Sequence, residues 1–168
     1  MEQKSFLQLC TDVFKINGFY KHNKNYYKEY DDIMVVFGLQ KTTYGGNYFY
    51  IEYGFVFKSI NSHMPYPKYH EANIRQGRFQ FDGKYVIEYN KLDELRFTQE
   101  LATVVAKMRS LAEHGLDAIV AYSFSDKTPA TLIQGYDTLL YLGVKKQRYR
   151  LYREHKKPSP VEKVSRCA

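Results

Sequence analysis

Apolar residues recur with a helical period at the start of the chain. Phe6, Leu9, Cys10, Val13 and Phe14 fall at i, i+3, i+4, i+7 and i+8 and draw one stripe. Ser5 is placed to cap this helix and Asn17-Gly18 to end it, glycine supplying the left-handed residue. From Phe19 the period drops to two. Residues 25–30 (NYYKEY) read as a short strand closed by Asp31-Asp32. Residues 33–41 (IMVVFGLQK) are apolar at both parities, the pattern of a central strand covered on both faces. After the turn Tyr44-Gly45-Gly46-Asn47, residues 48–58 set Phe49, Ile51, Tyr53, Phe55 and Phe57 against Tyr48, Tyr50, Glu52, Gly54 and Val56. The two segments predict a long hairpin.

Residues 59–73 (SINSHMPYPKYHEAN) break the alternation, because Pro65 and Pro67 force an extended, irregular path around Tyr66. A connection of this length is often functional. Residues 74–81 and 84–89 flank Asp82-Gly83 and read as a second hairpin. Phe97, Leu101, Val104, Val105, Met108, Leu111 and Ala112 then form a helical stripe ending at Gly115, with Asn90 or Thr98 as its cap. Residues 116–124 fit a short helix or a strand. Thr128-Pro129 opens a further helix carrying Leu132, Ile133, Tyr136, Leu139 and Leu140. The basic segment 144–157 fits one more helix. The prediction is an α+β fold: a mostly antiparallel sheet of four to six strands, flanked by an N-terminal helix and two or three C-terminal helices. Residues 1–157 are expected to form a single domain, with 158–168 a flexible basic tail.

Charge changes this picture only at one end. The net charge is +7 over 168 residues, yet residues 1–144 carry sixteen Lys/Arg and sixteen Asp/Glu. The excess lies in residues 145–168, where nine Lys/Arg face only Glu154 and Glu162. Electrostatic steering toward a polyanion therefore belongs to that segment. The opening residues lack the apolar core and cleavage site of a secretory leader, and no apolar run reaches the roughly 20 residues of a membrane span. Cys10 and Cys167 lie at opposite ends and build no disulfide framework. These features predict a soluble, cytoplasmic protein without a membrane partner.

Candidate chemistry is sparse. His22, His63, His70, His114 and His155 show no paired ligand spacing, so no metal site and no cofactor are expected. Cys10 sits within an apolar stripe and reads as a buried hydrophobe. The pairs Asp31-Asp32 and Asp93-Glu94 sit at element ends, where turn and helix-start roles explain them. The Tyr44-Gly45-Gly46-Asn47 turn precedes a strand and lacks the spacing of a phosphate loop. No catalytic residue is assigned. The unusual feature is 17 Tyr beside 11 Phe with no Trp, which fits a protein interface, a base-stacking surface, or the outer face of a sheet. The candidate binding residues are Tyr44 at the tight turn and Asn61, Tyr66, Arg75 and Arg78 along the irregular loop and its exit. Arg78 follows Gly77 and reads equally as a ligand contact and as a structural ion pair.

The order of these signals resembles the domain of unknown function 4304 family. The shared pattern is a helix ending at Gly18-Phe19, a Tyr26-Tyr27 strand, Leu39-Gln40-Lys41 closing the central strand, Tyr53-Gly54, and later Gly77-Arg78. It covers roughly residues 5–90. The resemblance implies a small bacterial α+β protein with no catalytic residues to transfer, some relatives being similar to immunity proteins that neutralise a toxin domain. The combined expectation is a non-enzymatic, immunity-like protein that binds another protein through an aromatic surface near residues 59–78. The alternative is nucleic-acid binding through the basic segment 144–166. A hydrolase would require a pocket of convergent titratable groups.

Overall fold

The central hairpin forms where the alternation is strongest. The computed structural model describes residues 1–43, 45–123, 125, 132–134 and 138. Strand β3 (Ile33–Lys41) pairs with β4 (Tyr48–Phe57) over its whole length, Ile33 opposite Phe57 and Lys41 opposite Phe49. On the other side of β3 lie β2 (Asn25–Glu29) and then β1 (Tyr20–His22), joined by a two-residue turn in which Asn23 takes φ 55°. Beyond β4 come β5 (Ile74–Arg78) and β7 (Leu132–Ile133), with β6 (Ile87–Glu88) pairing to the start of β4. All strand pairings among the described residues are antiparallel. Because β5 and β6 follow one another along the same edge of β4, the seven segments fill six positions across the sheet.

Among the described residues, three helices cover one face: α1 (Gln3–Ile16), α2 (Glu94–Glu113) and α3 (Leu116–Ser123). Phe6, Cys10 and Phe14 of α1 and Phe97, Leu101 and Val105 of α2 bury completely against Val35, Phe37, Ile51 and Phe55. The Phe6 ring packs within 5.2–5.6 Å of Phe49, Tyr89 and Phe97, and Phe14 within 4.4–5.0 Å of Tyr26 and Phe37. Such pairs add about 0.5–1.5 kcal/mol each beyond the area they bury. Tyr26 brings a hydroxyl into this layer and satisfies it with Thr11 Oγ1 at 2.7 Å.

The opposite face is covered by the irregular segment, with a short 3-10 turn at Tyr69–Glu71. Its cluster is smaller: Tyr27, Met34, Val36, Val56 and Ala72, with Tyr69 packed beside them. This explains why β3 is apolar at both parities. Asn73 Oδ1 accepts the Phe57 backbone N–H at 2.8 Å and also the Asn61 amide, fastening both ends of the segment to β4. Ser59 donates twice to Asp32, at 2.7 Å each.

Several expectations need correction. Ser5 does not cap α1, which starts two residues earlier after Glu2 without a side-chain cap. Helix α2 is capped by Asp93, whose carboxylate accepts from Arg96 N; Asn90 falls in a preceding 3-10 turn, and Thr98 lies inside the helix. Asp82-Gly83 is a turn, but the flanking segments do not form a hairpin: they share only the bridge Phe81–Lys84, and each pairs with β4. The free edge of the ten-residue β4 outcompetes the local pairing. Leu132 and Ile133 are strand residues, recruited by the open edge of β5 opposite Arg75 and Ile74. The ambiguous segment 116–124 is helical through Ser123. Beyond Gln134, the helix expected after Thr128-Pro129 is described only at Thr138, which is helical and buried, while the expected helix 144–157 and the tail 158–168 lie outside the described residues.

Candidate functional site

Period two sends alternate residues of β1–β5 to the face opposite the helices, and the residues crossing over it converge on Tyr69. The Tyr69 ring sits where a side chain on Gly38 would be, and its hydroxyl donates to Gln40 Oε1 at 2.8 Å. Burial, followed by the adjoining Glu52 carboxylate, pushes its pKa up to about 12. Tyr69 therefore remains a neutral hydrogen-bond donor at physiological pH.

On one side of Tyr69 lies a half-buried ion pair. Arg78 Nε donates to Glu52 Oε1 at 2.7 Å, and the guanidinium lies 4.1 Å from the Tyr50 ring centroid. Glu52 is only 3% exposed, and its Oε2 has no hydrogen-bond partner among the described residues. Its hydrogen bond raises the Arg78 pKa further. Arg75 lies 5.8 Å from the Tyr69 ring centroid.

On the other side an open groove of about 740 Å³ runs between the β1–β2 turn and residues 66–70. The His22 and Tyr66 rings stack across it at 3.9 Å and 10°. Tyr27 meets Tyr66 edge-on at 5.9 Å, and burial raises its hydroxyl pKa. His70 packs edge-on against Tyr69 at 5.4 Å. Lys24 and Lys68 complete the rim. The arrangement offers stacking surface, neutral donors and cationic tips. Its two histidines rest on aromatic rings. Among the described residues no three His, Cys, Asp or Glu side chains gather to hold a metal ion.

The sequence-expected residues distribute unevenly. Tyr66, Arg75 and Arg78 reach this face around Tyr69, with Tyr66 46% exposed. Asn61 is buried, and its amide is spent on Phe57 O and Asn73 Oδ1. Tyr44 lies outside the described residues. Glu52, Tyr69, His22, Lys24 and Lys68 were not singled out by sequence reasoning. Two signals pointed to them: Gly38, a glycine inside an apolar strand, and Glu52, a lone charge in the aromatic strand YFYIEYGFVF.

A model of the family described as Domain of unknown function (DUF4304) matches residues 10–117. No curated protein and no solved structure matches the chain. The matched span runs from α1 into α3 and contains the groove, Tyr69 and the Glu52–Arg78 pair. With the match covering more than half of its length, the chain belongs to the DUF4304 family.

Proposed function

We propose that this is a non-enzymatic binding protein of the immunity type, engaging another protein through the aromatic face around Tyr66 and Tyr69. The observation that carries this reading is the groove itself: a stacked His22–Tyr66 pair beside neutral tyrosine donors and lysine tips. Tyrosine contributes large, stiff contact area at low entropic cost, which suits protein recognition. The irregular segment carrying Tyr66 is fastened at both ends, so its surface is pre-organised for docking. The alternative reading, nucleic-acid binding through residues 144–166, draws on the basic composition of that segment alone.

The test is site-specific photo-cross-linking in cells that naturally carry the protein. A photoreactive amino acid replaces Tyr66 in the groove, or the 71% exposed Leu95 on α2. A discrete protein adduct formed from position 66 and absent from position 95 is expected. No adduct, or the same adducts from both positions, rejects the reading.

A further inference from the structure

The charged side chains lining the grooves at this end of the sheet are all lysines. A second groove of about 210 Å³, on the helix side of the β1–β2 turn, adjoins the first and shares Asn23, Lys24 and Leu39 with it. Between them the two grooves present Lys21, Lys24, Lys41 and Lys68, and among the described residues neither is lined by an aspartate or glutamate. None of these four lysines forms an ion pair among the described residues. Lys41 donates to the neutral Gln3 Oε1 at 2.9 Å, and Lys21 lies 5.5 Å from the Tyr26 ring centroid. Glu71, beside the groove, accepts the Lys68 backbone N–H at 2.7 Å and keeps its negative charge, so the four lysines outnumber it.

We infer that the joined grooves receive an acidic segment of a partner protein, its carboxylates meeting the four lysines while an aromatic or apolar side chain covers the free face of Tyr66. This deepens the reading above and rests on it. Uncompensated like charges around a concave surface cost the free protein little in water. They give a complementary segment both steering and register. The chain's own C-terminal segment is unsuited, since it carries nine Lys/Arg against two acids. A single-stranded nucleic acid fits less well. Such ligands stack successive bases on successive aromatic faces, and here Tyr27 is buried, Tyr69 lies against Gly38, and Tyr66 already gives one face to His22.

The experiment titrates full-length protein with three fluorescently labelled probes at low salt. They are an Asp/Glu-rich dodecapeptide with a central Phe, the same peptide with Asn/Gln at the acidic positions, and a twelve-nucleotide oligothymidine. Anisotropy is expected to report binding of the acidic peptide and at least tenfold weaker binding of the neutral one. The double variant Lys24→Glu/Lys68→Glu should lose at least tenfold, while Lys15→Glu/Lys107→Glu on the helices, with the same change in net charge, should lose less than twofold. Both doubles alter exposed side chains, and thermal melts check that each is folded. Absence of acidic-peptide binding, or equal losses in the two doubles, overturns the inference. Tighter binding of the oligothymidine that depends on Lys24 and Lys68 also overturns it and gives the groove to nucleic acid. Should adducts form at position 66 while the peptide fails, only the acidic chemistry falls; loss of the adducts removes the parent reading as well.

Discussion

The Tyr69 ring occupies the space that a β-carbon on Gly38 would fill. The same β-carbon would stand 2.9 Å from Asn25 Oδ1. The covering segment can approach the sheet this closely because residue 38 has no side chain. Gly38→Ala should therefore push Tyr69 off the sheet and destabilise the fold by about 1–3 kcal/mol, the usual cost of overpacking. The double variant Gly38→Ala/Tyr69→Ala should cost less than the sum of the singles, since removing the ring makes room for the methyl group. Urea denaturation of the four proteins gives the coupling directly. Strict additivity would show that Tyr69 is not seated on Gly38.

Asn73 holds the covering segment through three buried contacts. Its Oδ1 accepts from Phe57 N and Asn61, and its Nδ2 donates to Thr138 Oγ1 at 2.9 Å. Asn73→Ala strands at least two buried donors, and each unsatisfied group costs about 1–3 kcal/mol. A loss of about 2–4 kcal/mol is expected, with faster amide exchange at Phe57. Asn61→Ala should cost less, because Asn73 keeps its bond to Phe57. If Asn61→Ala were the more damaging of the two, the hub would be misassigned.

The helix-covered face was legible in the sequence because one period accounts for it. Val35, Phe37, Ile51 and Phe55 alternate, Phe6 and Phe14 share a helical stripe, and all are fully buried. What escaped were choices between two partners that obey the same period. Residues 74–78 and 87–88 satisfy a hairpin pattern and an edge-strand pattern equally, and the unpaired length of β4 decides between them. Leu132 and Ile133 fit a helix stripe until the open edge of β5 is present to take them. Asn90 and Asp93 are both capable caps. The 3-10 turn at Tyr89–Lys91 hands the task to Asp93. The groove was the least legible part, since its walls come from residues 22–27, 38–40 and 66–70. Their adjacency is set by the β2–β3 register and by the way the irregular segment folds back, and no local periodicity records either.

Cys10 faces the core with no exposure, and burial pushes its thiol pKa far above the ordinary value. In the native state it should resist alkylation, reacting only as fast as the protein opens. The linkage has a definite sign. The folded pKa is raised, so the folded state keeps a proton that the unfolded state gives up above about pH 8.5. Stability from this group is fully present below that pH and falls as pH rises, by up to about 1.4 kcal/mol per pH unit. Cys10→Val should make this alkaline decline shallower from about pH 8.5 upward. The tyrosines whose folded pKa is raised add their own decline, which both proteins share and which cancels in the comparison. Denaturant midpoints of the two proteins across that range decide the matter, and parallel declines would place the thiol in contact with water.

Glu52 and Arg78 form a pair of unequal partners. Glu52 is buried, with one oxygen bonded and the other unpartnered among the described residues, while the Arg78 side chain is 43% exposed. Removing the arginine leaves a buried carboxylate without its counter-charge, whereas removing the carboxylate leaves an arginine that water can reach. The two truncations should therefore differ. Arg78→Ala is expected to cost about 2–4 kcal/mol, below the full penalty for breaking a wholly buried pair because water can partly replace the guanidinium. Glu52→Gln keeps the shape and an acceptor for Arg78 and removes the buried charge, and should lie within about 1 kcal/mol of the parent. In the background of Glu52→Gln, Arg78→Ala should cost little beyond the stacking on Tyr50. The carboxylate then becomes the origin of the penalty. Melts of the three variants at neutral pH measure this cycle, and an equal cost of Arg78→Ala with Glu or Gln at position 52 would show that the pair stabilises by packing alone.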